Sequence, residues 1–190
     1  MIKAIIFDFD GTITKPFLNF SKIKSEIGFP PDEIYLLEKV LEMPEKERKR
    51  AFSILEKHER EAVEKSELNE GAHEILDILK EKNIKTALLT RNTHKSIRDA
   101  CQKHGVCFDI VITREDAAAK PKPDGVILAG NKLNTPLSQI MLVGDYQFDI
   151  IAGKEAGVKT VLLTNGSDPK WDVKSDYTIH RLVDLAKIIG

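Results

Sequence analysis

The sequence has few of the features that would set it apart from an ordinary globular protein. Its 190 residues include 2 cysteines, too few for a disulfide framework, so we expect reduced thiols in a cytoplasmic protein. No apolar run approaches the roughly 20 residues needed to cross a bilayer, and no signal-peptide pattern is recognisable. Acidic and basic side chains nearly cancel, to a formal net charge of −1. We therefore expect neither a membrane nor a nucleic acid among its partners.

The chain does contain short apolar runs, and stretches of helical periodicity separate them. Six runs are predicted as strands: Ala4–Phe7, Thr86–Leu89, Ile110–Ile112, Ile140–Val143, Thr160–Leu163 and Tyr177–Ile179. Their Ile, Val and Leu content without strict alternation is typical of strands covered on both faces. Gly105 and Gly157 mark predicted helix ends just ahead of a strand. The alternation of strand and helix predicts a doubly wound, parallel, Rossmann-like α/β core.

One long stretch, residues 15–69, interrupts this alternation because it has no strand signal. Its pattern predicts charged amphipathic helices. One apolar stripe at helical spacing comprises Leu36, Leu37, Val40 and Leu41. We predict an α/β core of residues 1–14 and 70–190, with residues 15–69 as a small all-helical insertion after the first strand. A separate helical module that binds a partner is the alternative interpretation.

Four polar clusters follow predicted strands, where a parallel sheet would gather them at one edge. They are Asp8 with Asp10, Thr90-Arg91-Asn92, Lys120-Pro121-Lys122-Pro123-Asp124, and Gly144-Asp145 with Asp149. Two acids as close as Asp8 and Asp10 repel each other unless a cation lies between them or one is protonated. Several acids, a hydroxyl and a lysine at one sheet edge indicate a site for phosphate and Mg²⁺.

Each cluster also has a purely structural explanation. Asp10 could cap a helix or shape a turn, Thr90 could be an N-cap, and Asp149 could cap a helix or simply lie on its surface. Lys120 could be a solvated loop lysine, which is the usual environment of lysines. The joint pattern is far more specific than any single cluster.

Taken together, these motifs resemble those of the haloacid dehalogenase-like hydrolases, and the helical insertion is similar to the cap of the phosphoglycolate phosphatase-like branch. The resemblance covers the whole predicted core. It implies a Mg²⁺-dependent phosphatase that hydrolyses small phosphomonoesters, so the expected partner is a small phosphorylated metabolite. A dehalogenase is disfavoured because those relatives lack the second aspartate, which is present here as Asp10.

The resemblance also implies a role for each matching residue. Asp8 would be the nucleophile that forms an aspartyl-phosphate, and Asp10 the general acid and base. Asp8, the backbone carbonyl of Asp10 and Asp145 would hold the metal, with Asp149 orienting Asp145 or a water on the metal. The phosphate ligands would be Thr90, the Arg91 amide and Lys120, which neutralises developing charge. Lys122 competes with Lys120 for that role, and the Arg91 side chain could bind an anionic substrate group or point outward.

Three other functions remain open at this point. A sugar phosphomutase on the same fold would return the phosphate to the substrate. A phosphoacceptor signalling domain would use similar residues, but the Asp8-x-Asp10 spacing and the insertion disfavour it. A catalytically idle binding protein is the third, since a fold alone does not fix a function.

Overall fold

The computed structural model describes all 190 residues and contains one six-stranded sheet in which every neighbouring pair is parallel. The strand order is β3-β2-β1-β4-β5-β6. The bounds are Ala4–Phe7 (β1), Lys85–Leu89 (β2), Ile110–Ile112 (β3), Ile140–Gly144 (β4), Lys159–Leu163 (β5) and Tyr177–Ile179 (β6). The predicted doubly wound α/β fold is confirmed, because the chain runs outward from β1 to β3 and then returns to β4 on the other side of β1.

Eight α-helices connect or flank the strands. Their bounds are Phe20–Ile27 (α1), Leu36–Glu42 (α2), Glu45–Lys65 (α3), Ala72–Glu81 (α4), His94–His104 (α5), Asp124–Lys132 (α6), Gln147–Ala156 (α7) and Ala186–Ile189 (α8). Two short 3₁₀ helices cover Leu137–Gln139 and Leu182–Leu185. Gly105 and Gly157 do end α5 and α7 in the left-handed conformation, as predicted. None of the helices combines the length and the apolar character needed to span a bilayer.

The sheet is buried on both faces because alternate residues of each strand belong to different apolar clusters. In β1, Ile5 and Phe7 belong to a cluster of 17 buried residues. Ala4 and Ile6 face the opposite cluster, of 13 buried residues. Burial on two sides explains the continuous apolar runs of the sequence. The parallel pairing of β1 with β4 places their carboxyl ends side by side.

Helices α1, α2 and α3, which we call the insertion helices, lie between β1 and β2 in the sequence. They share an apolar cluster of their own that includes Ile23, Val40 and Leu55. Leu41 is 54% exposed, so the buried stripe of α2 is narrower than the sequence predicts. The insertion helices occupy the predicted cap segment, while its division from the core stays a prediction.

Candidate active site

The candidate site lies at the carboxyl ends of β1 and β4, where the strand order reverses direction. At this topological switch point two connections leave the sheet on opposite sides and open a crevice. The amide of Asp8 donates to the carbonyl of Val143 at 2.9 Å, so Asp8 continues the pairing of β1 with β4 by one residue. Asp145 directly follows β4, and the acids from the two strands meet above the sheet edge.

Three carboxylates form a compact cluster in the crevice. One carboxylate oxygen from each of Asp8, Asp145 and Asp149 lies within 4.8 Å of the other two. Burial raises the pKa of Asp8 to about 6, with Lys120 opposing and Asp149 adding to the effect. Burial, then the charges of Asp8 and Asp149, raise the pKa of Asp145 to about 8. Mutually repelling carboxylate oxygens at this spacing are the hard donor set that fits a divalent cation such as Mg²⁺.

Lys120 lies beneath the acidic cluster and is 3% exposed. Its ammonium donates to Asp8 Oδ1 at 2.5 Å and to the Leu89 carbonyl at 2.8 Å, and it forms an ion pair with Asp149 at 2.7 Å. Burial opposes the charge on Lys120, but Asp149 and Asp8 outweigh it and raise the pKa of the ammonium. The structure therefore brings Lys120 into the cluster and leaves Lys122 exposed on the surface.

Two glycines permit the close approach of the loops that carry the acids. Gly11 has φ of +85°, which L side chains rarely adopt, and a Cβ there would overlap the Asp145 carboxylate. A Cβ on Gly144 would overlap the carboxyl group of Asp149. Larger residues at either position would push the acids apart.

Asp10 is held apart from the three-acid cluster. Its Oδ2 accepts a hydrogen bond from the side-chain amide of Asn92 at 2.7 Å. Burial, followed by the charge of Asp8, raises the pKa of Asp10 to about 7. Asp10 caps no helix, because the first helix begins at Phe20 with Asn19 as its N-cap. Its carboxyl group is therefore positioned to exchange a proton near neutral pH.

The segment after β2 supplies the polar groups opposite Asp8. Thr90 is buried, and its hydroxyl accepts a hydrogen bond from the backbone amide of Asn92 at 3.2 Å. Thr90 is not the N-cap of α5, because that position is Thr93. The Arg91 guanidinium points inward: it pairs with both carboxylate oxygens of Glu38 on α2 at 3.0 Å and donates to the Lys120 carbonyl. The backbone amide of Arg91 donates no hydrogen bond within the protein.

Asp149 has two roles at the start of α7, one for each carboxylate oxygen. Its Oδ2 accepts the backbone amide proton of Tyr146 at 3.1 Å, so it caps the helix as the structural explanation proposed. Its Oδ1 is paired with Lys120. The two roles use different oxygens and coexist.

Glu59 and Arg114 lie at the site and were not singled out by the sequence analysis. The two side chains form an ion pair and are 4% and 8% exposed, respectively. Glu59, on α3, also accepts hydrogen bonds from the Thr93 and Ser96 hydroxyls at 3.3 and 3.0 Å. One signal could have found Glu59: it lies four residues after Leu55, on the buried face of α3, where an acid requires a partner.

A cavity of about 310 Å³ lies between the insertion helices and the sheet edge. Its lining includes Asp8, Asp10, Asp145, Asp149 and Lys120, together with side chains of α1, α2 and α3. Its volume is at the lower end of the range for small-molecule sites, about 300–1,000 Å³.

Comparison with known proteins places the chain among proteins of the same fold. A family model described as haloacid dehalogenase-like hydrolase matches residues 16–163. A phosphoglycolate phosphatase of Aquifex aeolicus is 30% identical, over 99% of this chain and 97% of that protein. The pyrophosphatase PpaX of Bacillus velezensis is 31% identical, over 74% of this chain and 66% of that protein.

A solved structure of a HAD phosphatase from Thermococcus onnurineus superposes with a TM-score of 0.73 at 25% sequence identity, covering 100% of this chain and 98% of the other. The match extends over the core strands and the segment of the insertion helices alike. The resemblance inferred from the motifs is thereby confirmed. The chain belongs to the haloacid dehalogenase-like hydrolase family.

Proposed function

We propose that this protein is a Mg²⁺-dependent phosphatase, a phosphoric monoester hydrolase that acts on small phosphomonoesters through an aspartyl-phosphate on Asp8. One observation carries the proposal. Asp8 lies in an acidic cluster with Asp145 and Asp149 and also contacts the Lys120 ammonium. A nucleophilic carboxylate, a place for a divalent cation and a buried positive charge thus converge on one point.

The acidic cluster is where a divalent cation would bind. The carboxylates of Asp8 and Asp145, with the backbone carbonyl of Asp10, would hold Mg²⁺, and Asp149 would orient Asp145 and Lys120. When bound, Mg²⁺ offsets the charge repulsion between a carboxylate nucleophile and a phosphate ester. Hard oxygen donors of this kind suit Mg²⁺ better than they suit a soft metal.

In the first step Asp8 attacks phosphorus and the bond from phosphorus to the leaving oxygen breaks. Asp10 protonates that oxygen, and a pKa of about 7 leaves much of the Asp10 population protonated at neutral pH. The unpaired amide of Arg91 and the hydroxyl of Thr90 would bind phosphoryl oxygens. Lys120 would offset the negative charge that develops on them.

In the second step a water attacks the phosphorus of the aspartyl-phosphate. Asp10, now ionised, takes the proton from this water, and the bond from phosphorus to the Asp8 oxygen breaks. Inorganic phosphate leaves and the Asp8 carboxylate is restored. The hydrogen bond from Asn92 at 2.7 Å keeps the Asp10 carboxyl group in place for both proton transfers.

The insertion helices would act as a cap over this site, with residues 15–69 as the cap domain and the remainder as the core. They close one wall of the cavity, and their motion would admit substrate and release product. The cytoplasmic location expected from the sequence is part of the same proposal.

A sugar phosphomutase is the second candidate, since the same groups could return the phosphoryl group to a second hydroxyl. The two activities differ in their products. Steady release of inorganic phosphate without a bisphosphate activator supports the phosphatase, and isomerisation without phosphate release would overturn it.

The decisive screen measures phosphate release from a panel of phosphomonoesters and from pyrophosphate, with Mg²⁺ and with EDTA. We expect release from at least one monoester that EDTA abolishes and that Asp8→Asn abolishes. Lys122→Gln is a matched control, because Lys122 is exposed and should leave the rate unchanged. Unaltered turnover by Asp8→Asn would overturn the mechanism.

A further inference from the structure

Large apolar side chains form part of the cavity lining, which we call its apolar end. Leu18, Phe20, Ile23, Ile34, Leu37 and Phe148 line it. Phe20 and Ile34 are 53% and 43% exposed, so part of this wall faces water in the absence of a ligand. Large apolar side chains left in water around a pocket are typical of a binding surface for an apolar group.

An aromatic group flanks this end of the cavity. Tyr35, which precedes α2, stacks on the Phe148 ring with centroids 5.4 Å apart and planes at 24°. Tyr146 meets Phe148 edge-on at 5.0 Å. These rings come from both the insertion and the core. Phe148 and Tyr146 line the cavity, whereas Tyr35 lies outside its lining and supports the Phe148 ring, against which a ring or hydrocarbon can pack.

Two of the three cations near the apolar end are paired with carboxylates. Arg91 is bound by both oxygens of Glu38, and Arg114 is buried against Glu59. The third cation of this wall, Lys24, donates to the Pro31 carbonyl and shares the wall with Glu33. Lys24 has no carboxylate partner, but the cavity lining as a whole contains six carboxylates and four cations.

A second anionic group on the substrate would lose its hydration in a cavity whose lining is acidic overall, where Lys24 is the single cation without a carboxylate partner. Desolvating a carboxylate or phosphate is costly unless an opposite charge compensates for it. An uncharged hydrocarbon group would instead bury the exposed side chains of Phe20 and Ile34.

Building on the proposed function, we propose that the substrate is a phosphomonoester whose alcohol part is an uncharged, apolar or aromatic group. A substrate with a second anionic group, such as a phosphorylated carboxylic acid or pyrophosphate, is disfavoured. For benzyl phosphate the reaction consumes one water and yields benzyl alcohol and inorganic phosphate.

The test compares benzyl phosphate with 4-carboxybenzyl phosphate, which differ by a single carboxylate far from the scissile bond. We expect kcat/KM to be at least about tenfold higher for benzyl phosphate, since an uncompensated charge costs more than about 1.4 kcal/mol. An equal or higher kcat/KM for the carboxylated ester, for phosphoglycolate or for pyrophosphate would overturn the inference.

Glu38→Gln tests the charge argument in the opposite direction. It removes the partner of Arg91, so the discrimination against 4-carboxybenzyl phosphate should fall severalfold. Glu42→Gln is the matched control: Glu42 lies on the same helix, is exposed and pairs with Lys39 at 3.1 Å. It should leave the discrimination unchanged, and equal effects of the two substitutions would contradict the argument.

Tyr35 variants test the aromatic surface independently of the charges. Tyr35→Ala should lower kcat/KM for benzyl phosphate more than for methyl phosphate, which has no ring, and Tyr35→Phe should retain the wild-type ratio. An unchanged ratio in Tyr35→Ala would count against the inference.

The same data separate the inference from the function on which it rests. If no phosphate is released from any ester in the presence of Mg²⁺, the proposed function fails and the inference fails with it. If phosphate is released preferentially from esters with a second charge, the phosphatase stands and only the inference fails.

Discussion

At the scale of single residues, the two aspartates of the first motif differ because their surroundings differ. Asp8 is bonded to the Lys120 ammonium, which opposes the effect of burial and holds its pKa at about 6. Asp10 has the neutral Asn92 amide as its partner and a pKa of about 7. Environments that separate the pKa values of two nearby acids in this way suit one acid to bonding with phosphorus and the other to proton transfer.

Asp10→Asn should lower kcat by about 10² to 10⁴, the usual contribution of general acid–base catalysis. With p-nitrophenyl phosphate, whose leaving group needs no proton, Asp8 can still be phosphorylated, whereas the hydrolysis step lacks its base. We therefore expect a rapid burst of nitrophenolate, close to one per enzyme, followed by slow release. Stopped-flow absorbance measures the burst.

The matched substitution Asn131→Asp lies on α6, away from the site, and should leave both phases unchanged. Wild-type steady-state turnover by Asp10→Asn would show that Asp10 is not the proton-transfer group.

Much of the candidate site could be located from the sequence because its residues directly follow strands. Asp8, Thr90 and Asp145 each lie within one residue of a strand end, and parallel strands bring such positions to one edge. Glu59 could not be located in this way. It lies in the middle of a 21-residue helix, and its partner Arg114 is 55 positions away.

At the scale of secondary-structure elements, two ion pairs fasten the insertion helices to the core. Arg91 after β2 pairs with Glu38 on α2, and Arg114 after β3 pairs with Glu59 on α3. The first pair is about one-quarter exposed and the second is buried. The buried pair should therefore matter more for stability, because removing one partner leaves an uncompensated charge out of contact with water.

Glu59→Gln should lower the free energy of unfolding by about 3–5 kcal/mol, the usual effect of breaking a buried ion pair from one side. Glu56→Gln is the control on the same helix, since Glu56 is exposed and unpaired, and it should change stability by less than about 0.5 kcal/mol. Urea unfolding followed by circular dichroism measures both. Equal stabilities of the two variants would contradict the conclusion that the buried pair of Glu59 with Arg114 stabilises the packing of α3 on the core.

The strands could be predicted to within one residue because double-sided burial leaves continuous apolar runs. Lys85 and Lys159 extend β2 and β5 by one residue at their exposed starts, where a charged side chain gives no strand signal. The exposure of Leu41 could not be foreseen, because helical periodicity predicts which residues share a face but not how much of that face is covered.

At the scale of the whole molecule, the clustered acids should make stability depend on pH. The folded-state pKa values of Asp8, Asp10 and Asp145 are about 6, 7 and 8, all above the ordinary aspartate pKa of about 3.9 in an unfolded chain. The folded protein therefore binds more protons than the unfolded chain between about pH 4 and pH 8, and its stability should fall as pH rises through that window.

A divalent cation should reverse this trend, because it would bind the ionised acids of the folded state alone. With EDTA, the midpoint of thermal unfolding should fall between pH 5 and pH 8. At pH 8, Mg²⁺ at about 100 times its dissociation constant should raise the midpoint by about 5–10 °C, and the rise should be smaller at pH 5. Differential scanning fluorimetry measures both trends, and a midpoint insensitive to Mg²⁺ at pH 8 would contradict the proposed cation site.

The central claim, that Asp8 carries the phosphoryl group, is tested most directly by trapping the intermediate. The protein is mixed with Mg²⁺ and a substrate found in the phosphate-release screen, and is then treated during turnover with borohydride, which reduces an aspartyl-phosphate to homoserine. Peptide mass spectrometry should find homoserine at position 8 in the wild type, and none without substrate or in Asp8→Asn. Steady phosphate release with no modification of residue 8, or with homoserine at another aspartate, would contradict the account.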